Sequence, residues 1–257
     1  MDFTEYPLLL IFVVSVAVVL AAGEIGRRLA RRPKARHGDN ISTLEAAILG
    51  LLALMISFTF AMSLSRYEAR REAILVEANA IGTTALRARL LPAPHNKEVL
   101  TLLRNYVQIH LDMTQSVHST PDLNASVAKS NAVQEALWQQ AKAVAAKDNA
   151  MVPAGIFIQS LNETIDDQEK FLSAALHRIP DIVLVALYAI AAVSIGFAGY
   201  AAGLDVQRSH VPVAIMGVLI CVVILLIQDI DRPTSGFVHV SRQPMIDAAA
   251  SLSSYSE

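Results

Sequence analysis

Of 257 residues only Cys221 is a cysteine, so no internal disulfide can form and thiol usage assigns no compartment. Catalytic signatures are missing too. The seven histidines nowhere take the i,i+4 spacing of a helical zinc site. The eleven glycines form no phosphate-binding loop or dinucleotide fingerprint, and no nucleophile elbow is present. No catalytic residue, metal or cofactor is therefore expected. The formal net charge of −2 identifies no partner by itself, and a nucleic-acid partner is not expected. No strand alternation, internal repeat or low-complexity segment stands out.

Charge is what the chain lacks most conspicuously, in four places: Tyr6 to Gly23, Ala46 to Ser65, Ile182 to Leu204 and Val211 to Gln228. Each run has about the 17 to 25 residues a helix needs to cross the hydrocarbon core. Together they account for a hydrophobic content of 54% and a mean hydropathy of +0.44. The first run is preceded by Asp2 and Glu5 and by no Lys or Arg, unlike a signal peptide, and reads as a retained anchor. The expected fold is all-α: four membrane helices with a helical extramembrane domain between the second and third. The segments are 1–65 (spans one and two), 66–178 (the domain), 179–228 (spans three and four) and 229–257 (a polar tail).

The loop after the first span carries Arg27, Arg28, Arg31, Arg32, Lys34 and Arg36 against Glu24 and Asp39. By the positive-inside rule that loop is cytoplasmic, which puts both termini and the middle domain outside. Arg66, Arg70, Arg71, Lys170, Arg178, Arg232 and Arg242 argue the other way, and Arg208 joins the first side. A short loop counts for more than the flanks of a long domain, so the extracytoplasmic side is preferred, in a bacterial inner membrane.

Proline is absent between Leu44 and Leu91, so the second span can continue as one helix into water. Ser42-Thr43-Leu44-Glu45 is a capping-box pattern at its start. Beyond the membrane, Ile74, Ala78, Ile81, Ala85 and Ala88 form an a/d seam. The middle domain continues with helices over about 96–117, 126–146 and 154–177. Their inward faces are Val99, Leu102, Leu103, Tyr106, His110 and Met113; Val133, Leu137, Trp138, Ala141 and Val144; and Phe157, Leu161, Ile165, Phe171 and Leu172. Thr120-Pro121-Asp122 and 148–153 read as turns. In the third span, Ala192-x-x-x-Gly196 and Gly199-x-x-x-Gly203 allow close helix packing.

The transition at Arg66-Tyr67-Glu68-Ala69-Arg70-Arg71-Glu72 admits two readings. Arginines after a span anchor it by reaching to the headgroups. Alternatively, Arg66 and Arg70, one turn apart on one face, concentrate anions at a pore mouth. Thr59 and Ser63 are likewise four apart and could line a pathway, or bond to their own helix's carbonyls. Asp166, Asp167 and Glu169 read as a solvated face. Asp229 and Asp231 read as interface residues, or as an acidic rim attracting cations.

Leu64 to Glu72, Glu77-Ala78-Asn79-Ala80-Ile81-Gly82-Thr83 and Leu86 to Pro92 resemble the first motif of the bacterial bestrophin-like domain family. Asp231-Arg232-Pro233, Gly236 and Val240 to Pro244 resemble its second. Tyr67, Glu68, Arg71, Glu77, Asn79, Gly82, Asp231, Arg232 and Pro233 carry the motifs, while Arg89 departs from the acidic residue expected there. Phe58-Thr59-Phe60 is similar in kind to a bestrophin neck, and Arg178-Ile179-Pro180 to a helix start. The resemblance implies a homo-oligomeric channel for small anions in the lipid bilayer, its pore lined by the second membrane helix. Bestrophins carry their helical domain in the cytosol, opposite to the side read from charge. The alternative function is a non-conducting structural or envelope-sensing interaction protein.

Overall fold

The structure, a computed structural model, describes residues 6–32, 41–116, 120–147, 152–204, 209–232 and 236–255. Lys34, Arg36, Asp39, Arg208, Pro233 and residues 148–151 of the expected turn over 148–153 lie outside them. Among these residues eight helices follow in order: α1 (Leu8–Ala30), α2 (Ile41–Ala88), α3 (His95–Ser116), α4 (Thr120–Lys147), α5 (Val152–Leu176), α6 (Asp181–Leu204), α7 (Val211–Asp231) and α8 (Gln243–Ser254). The described residues contain no strand. The fold is all-α, with four segments long and apolar enough to cross a membrane: α1, α2, the segment containing α6, and α7.

The chain divides into two compact units. The first, Met1–Arg66 with Arg178–Val238, contains α1, the first part of α2, α6 and α7. Val19, Leu52, Leu187, Ala191, Ile195, Cys221, Ile224 and Ile227 form its core. The partner for the small-residue ladder of α6 is α1 of the same chain. A Cβ on Gly26 would collide with the Gly196 carbonyl, and one on Gly199 with the carbonyl of Gly23. One on Gly203 would stand 2.7 Å from the Arg27 carbonyl oxygen. These two backbones touch because none of the three positions carries a side chain.

The second unit, Tyr67–His177 with His239–Glu257, contains the rest of α2, α3, α4, α5 and α8. The seam reading of α2 is realised: Ile74, Ala78, Ile81, Ala85 and Ala88 are all buried, and the last four enter the core with Val99, Leu103, Leu137, Val144, Phe157 and Leu161. Most of the inward faces expected of the other helices pack, whereas Phe171 and Leu172 near the end of α5 are only half-buried and stand outside that core.

Three expectations are corrected. Thr120-Pro121-Asp122 opens α4 instead of forming a turn, since proline in a first turn costs no hydrogen bond. Pro153 likewise stands inside the first turn of α5. α2 is helical from Ile41, ahead of Ser42, so Ser42 lies within the first turn and not before it. Most consequential, residues 229–257 are not a polar tail. Met245, Ala248 and Leu252 of α8 are buried in the helical core. Arg104 clasps the end of α8, donating from Nε to Leu252 O (3.1 Å) and from Nη2 to Tyr255 O (3.0 Å). The Arg89 guanidinium lies 4.8 Å from the centre of the Tyr255 ring, which gives this departing residue a cation–π role.

The glycine contacts predict a selective mutational response. Gly199→Ala must push α1 and α6 apart and should cost about 1–3 kcal/mol, as overpacking does. Gly155→Ala, where nothing lies within 4 Å of a new Cβ, should gain up to about 1 kcal/mol from helix propensity. Equilibrium unfolding of the detergent-solubilised protein measures both.

Candidate functional site

Along α2 the hydroxyls come first. Ser57 donates to Ala53 O (2.8 Å) and Thr59 to Met55 O (2.7 Å), the i−4 bond that membrane helices favour. Ser63 is fully buried and donates across to Ile227 O of α7 at 3.0 Å. Thr59 is buried as well, so both hydroxyls are spent inside the chain.

The charges follow. Arg66 is half-buried. Among the described residues its Nη2 reaches the Met62 sulfur, at 3.8 Å, and its Nη1 has no hydrogen-bond partner. Arg70, one turn on, is buried at 5% exposure. Tyr67 donates its hydroxyl to His239 O (3.5 Å), while Glu68, Arg71 and Glu72 are exposed. Asn79 is exposed, and a Cβ at Gly82 would meet nothing within 4 Å.

The acidic exit of α7 is built differently from a rim. Asp229 is buried, and its two carboxylate oxygens accept the backbone N–H groups of Phe237 (2.6 Å) and Val238 (3.0 Å). A Cβ on Gly236 would stand 2.7 Å from Asp229 Oδ1, which explains the glycine. Asp231 accepts from Ile179 N (2.9 Å), satisfying an amide just ahead of α6. Arg232 donates to Tyr6 O (2.9 Å) at the entrance of α1. These second-motif residues thus join the ends of three membrane helices, and the cation-attracting reading of Asp229 is corrected: both of its oxygens are already engaged.

Sequence reasoning missed a polar cluster inside the helical unit. Glu77 of α2 is fully buried, and its Oε1 lies 3.1 Å from Nδ1 of His110 and 3.2 Å from the Tyr106 hydroxyl. Tyr106 also donates to Gln168 Oε1 (3.0 Å). His110 Nε2 lies 3.1 Å from Ser130 Oγ and 3.2 Å from Gln168 Oε1. Two turns further along α2, Thr84 bonds to Ser160 O and Thr164, each at 2.9 Å. The available signal was a glutamate beside the alanine seam, with a tyrosine and a histidine four apart on the apolar face of α3. Asp167, expected on a solvated face, is turned inward and held by Lys170 at 2.7 Å.

Burial, and then the negative charge of Glu77, push the Tyr106 phenol well above its ordinary titration range. The unfolded chain loses this proton near pH 10 while the folded one keeps it. This contribution is therefore complete below about pH 10 and falls as pH rises above it. Unfolding midpoints between pH 8 and 11.5 should drop for the native chain and drop less steeply for Tyr106→Phe.

No curated protein matches the chain significantly. Its fold, however, is shared over nearly its whole length with solved bacterial membrane proteins. One variant of a bacterial bestrophin homolog from Klebsiella pneumoniae aligns with a TM-score of 0.70 and 15% identity, covering 95% of this chain and 97% of that one. A second variant gives 0.69 and 12%, covering 94% and 96%. The homolog solved by zinc phasing gives 0.67 and 15%, covering 96% and 97%. At such identities the likeness establishes the fold alone. Residues 11–245 match the Bestrophin-like domain, nearly the entire chain, and this protein therefore belongs to the bestrophin-like family of membrane proteins.

Proposed function

We propose that this protein is a homo-oligomeric membrane channel for small anions, with α2 lining the pathway and Arg66 at its mouth. The observation that carries the reading is Arg66 itself: a half-buried guanidinium whose Nη1 has no acceptor among the described residues. A guanidinium so placed offers strong donors to a passing anion. The state of α2 supports assembly. Its apolar window is only 17% buried within the chain, against 28% to 39% in the other three spans. Leu51, Leu54, Phe58 and Met62 are all exposed. Beyond the membrane stretch, Leu75, Leu86 and Leu90 are exposed around Gly82. A glycine inside a helix costs about 1 kcal/mol relative to alanine. No contact among the described residues demands this one, whereas close approach by a second copy would. Arg70 is the deeper companion charge, and Tyr67, Glu68 and Arg71 complete the motif around it.

A second reading, a non-conducting interaction protein, draws on Thr59 and Ser63, whose hydroxyls are used up inside the chain instead of facing a path. Liposome flux separates the two. The purified protein should pass halide, and Arg66→Glu should lower anion over cation selectivity by roughly tenfold, as reversal of a focused charge does. Native mass spectrometry should show a closed ring of several copies. Tight liposomes and a monomeric detergent complex would instead establish the non-conducting reading.

The first loop's positive surplus places the helical unit and both termini outside the cytoplasm in this reading. A periplasm-dependent reporter fused after Glu257 should be active. Activity only from a cytoplasm-dependent reporter would reverse the orientation.

A further inference from the structure

Inside the membrane unit α1 uses only one of its sides. Leu8, Ile11, Ser15, Val19, Gly26 and Ala30 are buried, at the steps of three and four that mark one face of a helix. Gly26 lies on that face, where its missing Cβ admits the Gly196 carbonyl of α6. On the opposite face Leu10, Val14 and Ile25 are 49%, 53% and 57% exposed, and Ala21 between them is exposed too. The same face runs on into Arg28 and Arg32, three and seven residues past Ile25.

A single carboxylate serves this end of the helix. Glu24 accepts from Arg27 at Nε (2.7 Å) and Nη2 (2.6 Å), and from Arg28 at Nε (2.7 Å). That pairing steadies the Arg28 side chain but spends only its Nε, which leaves both Nη groups for another acceptor. The Arg28 side chain is 77% exposed. Arg31 and Arg32 are exposed as well, and among the described residues the ion pairs at this end go to Arg27 and Arg28. Four arginines thus stand against one glutamate between Glu24 and Arg32, and the positive surplus lies where the apolar stripe stops.

A matching occupant is apolar along its length and anionic at one end. From Leu10 to Ile25 the helix rises about 22 Å. That exceeds the roughly 15 Å half-thickness of a hydrocarbon core, so an acyl chain beside the stripe meets apolar side chains throughout. A phosphate group offers oxygens that guanidinium donors bind through charge-assisted hydrogen bonds. A second copy of the chain fits this face less well. Close association of helices in a bilayer needs small residues at the contact, and Gly23 and Gly26 of α1 are already committed to α6. A symmetric contact would also bring arginine against arginine.

We infer that the outer face of α1 is a phospholipid site, with acyl chains along Leu10 to Ile25 and an anionic headgroup on Arg28 and Arg32. The surplus charge selects an anionic headgroup over a zwitterionic one, whose ammonium group it repels. Bound lipid pins the end of α1 at headgroup level, and α6, in backbone contact through Gly199 and Gly203, is held with it. This site is separate from the pathway proposed along α2 and does not depend on conduction.

The experiment is native mass spectrometry of the full-length protein in detergent, with equal amounts of phosphatidylglycerol and phosphatidylcholine carrying the same acyl chains. The native chain should retain phosphatidylglycerol preferentially. That preference should fall about fivefold in Arg32→Gln and about fivefold again when Arg28→Gln is added. Lys142→Gln, an exposed cation of the helical unit, should leave it unchanged. Three results would overturn the site: equal retention of the two lipids by the native chain, a preference untouched in the double variant, or inorganic phosphate displacing the lipid at equal concentration. Oxidative cross-linking of Ile25→Cys between copies in native membranes would put a second copy on this face and overturn it as well. Should a variant not fold, the lipid preference of the native chain decides alone.

Discussion

Everything in this protein hangs on the requirement that a backbone in hydrocarbon satisfy its own hydrogen bonds. A helix does so within itself, and α2 extends that solution without interruption from Ile41 to Ala88. One element therefore contributes to both compact units, Leu52 to the core of the membrane unit and an alanine seam to the core of the helical unit. The two stretches are chemically unlike. The first is nearly free of charge and little covered by its own chain; the second alternates charge with alanine and is closely packed. Between them lie Arg66 and Arg70, where the demand of the solvent changes.

The helix ends face the opposite problem, because there the backbone cannot serve itself. Asp229, Asp231 and Arg232 answer it together by binding the amides of Phe237, Val238 and Ile179 and the carbonyl of Tyr6. That arrangement explains why acidic and basic residues occur at the buried exit of a membrane helix. It also ties the second motif of the family to the ends of the membrane helices. In the helical unit Arg104 does comparable service at the end of α8.

Much of this was legible in the residues. Uncharged runs of span length identify α1, the first part of α2, α6 and α7, since few soluble helices go so long without a charge. The steps of three and four from Ile74 to Ala88 foretold the buried face of α2. Arg66, Glu77 and Asp231 were picked out by their motifs. Their individual roles were not legible: Thr59 and Ser63 looked equally able to line a path or bond inward, and Asp229 to attract a cation or serve a loop. Spacing shows which face of a helix a residue occupies, but not which neighbour that face meets.

What the sequence determined by itself is the all-α membrane architecture and the apolar faces of its helices, which follow from periodicity and length along a single segment, while its motifs pointed to the family. Tertiary structure alone decided that α8 belongs to the helical core, that α1 is the partner of the α6 glycines, and that Glu77 meets His110. Each of these is a meeting between residues far apart in the chain. Hydrophobic periodicity is local, whereas the partner of a buried charge or a bare glycine is selected by packing, which no single segment encodes.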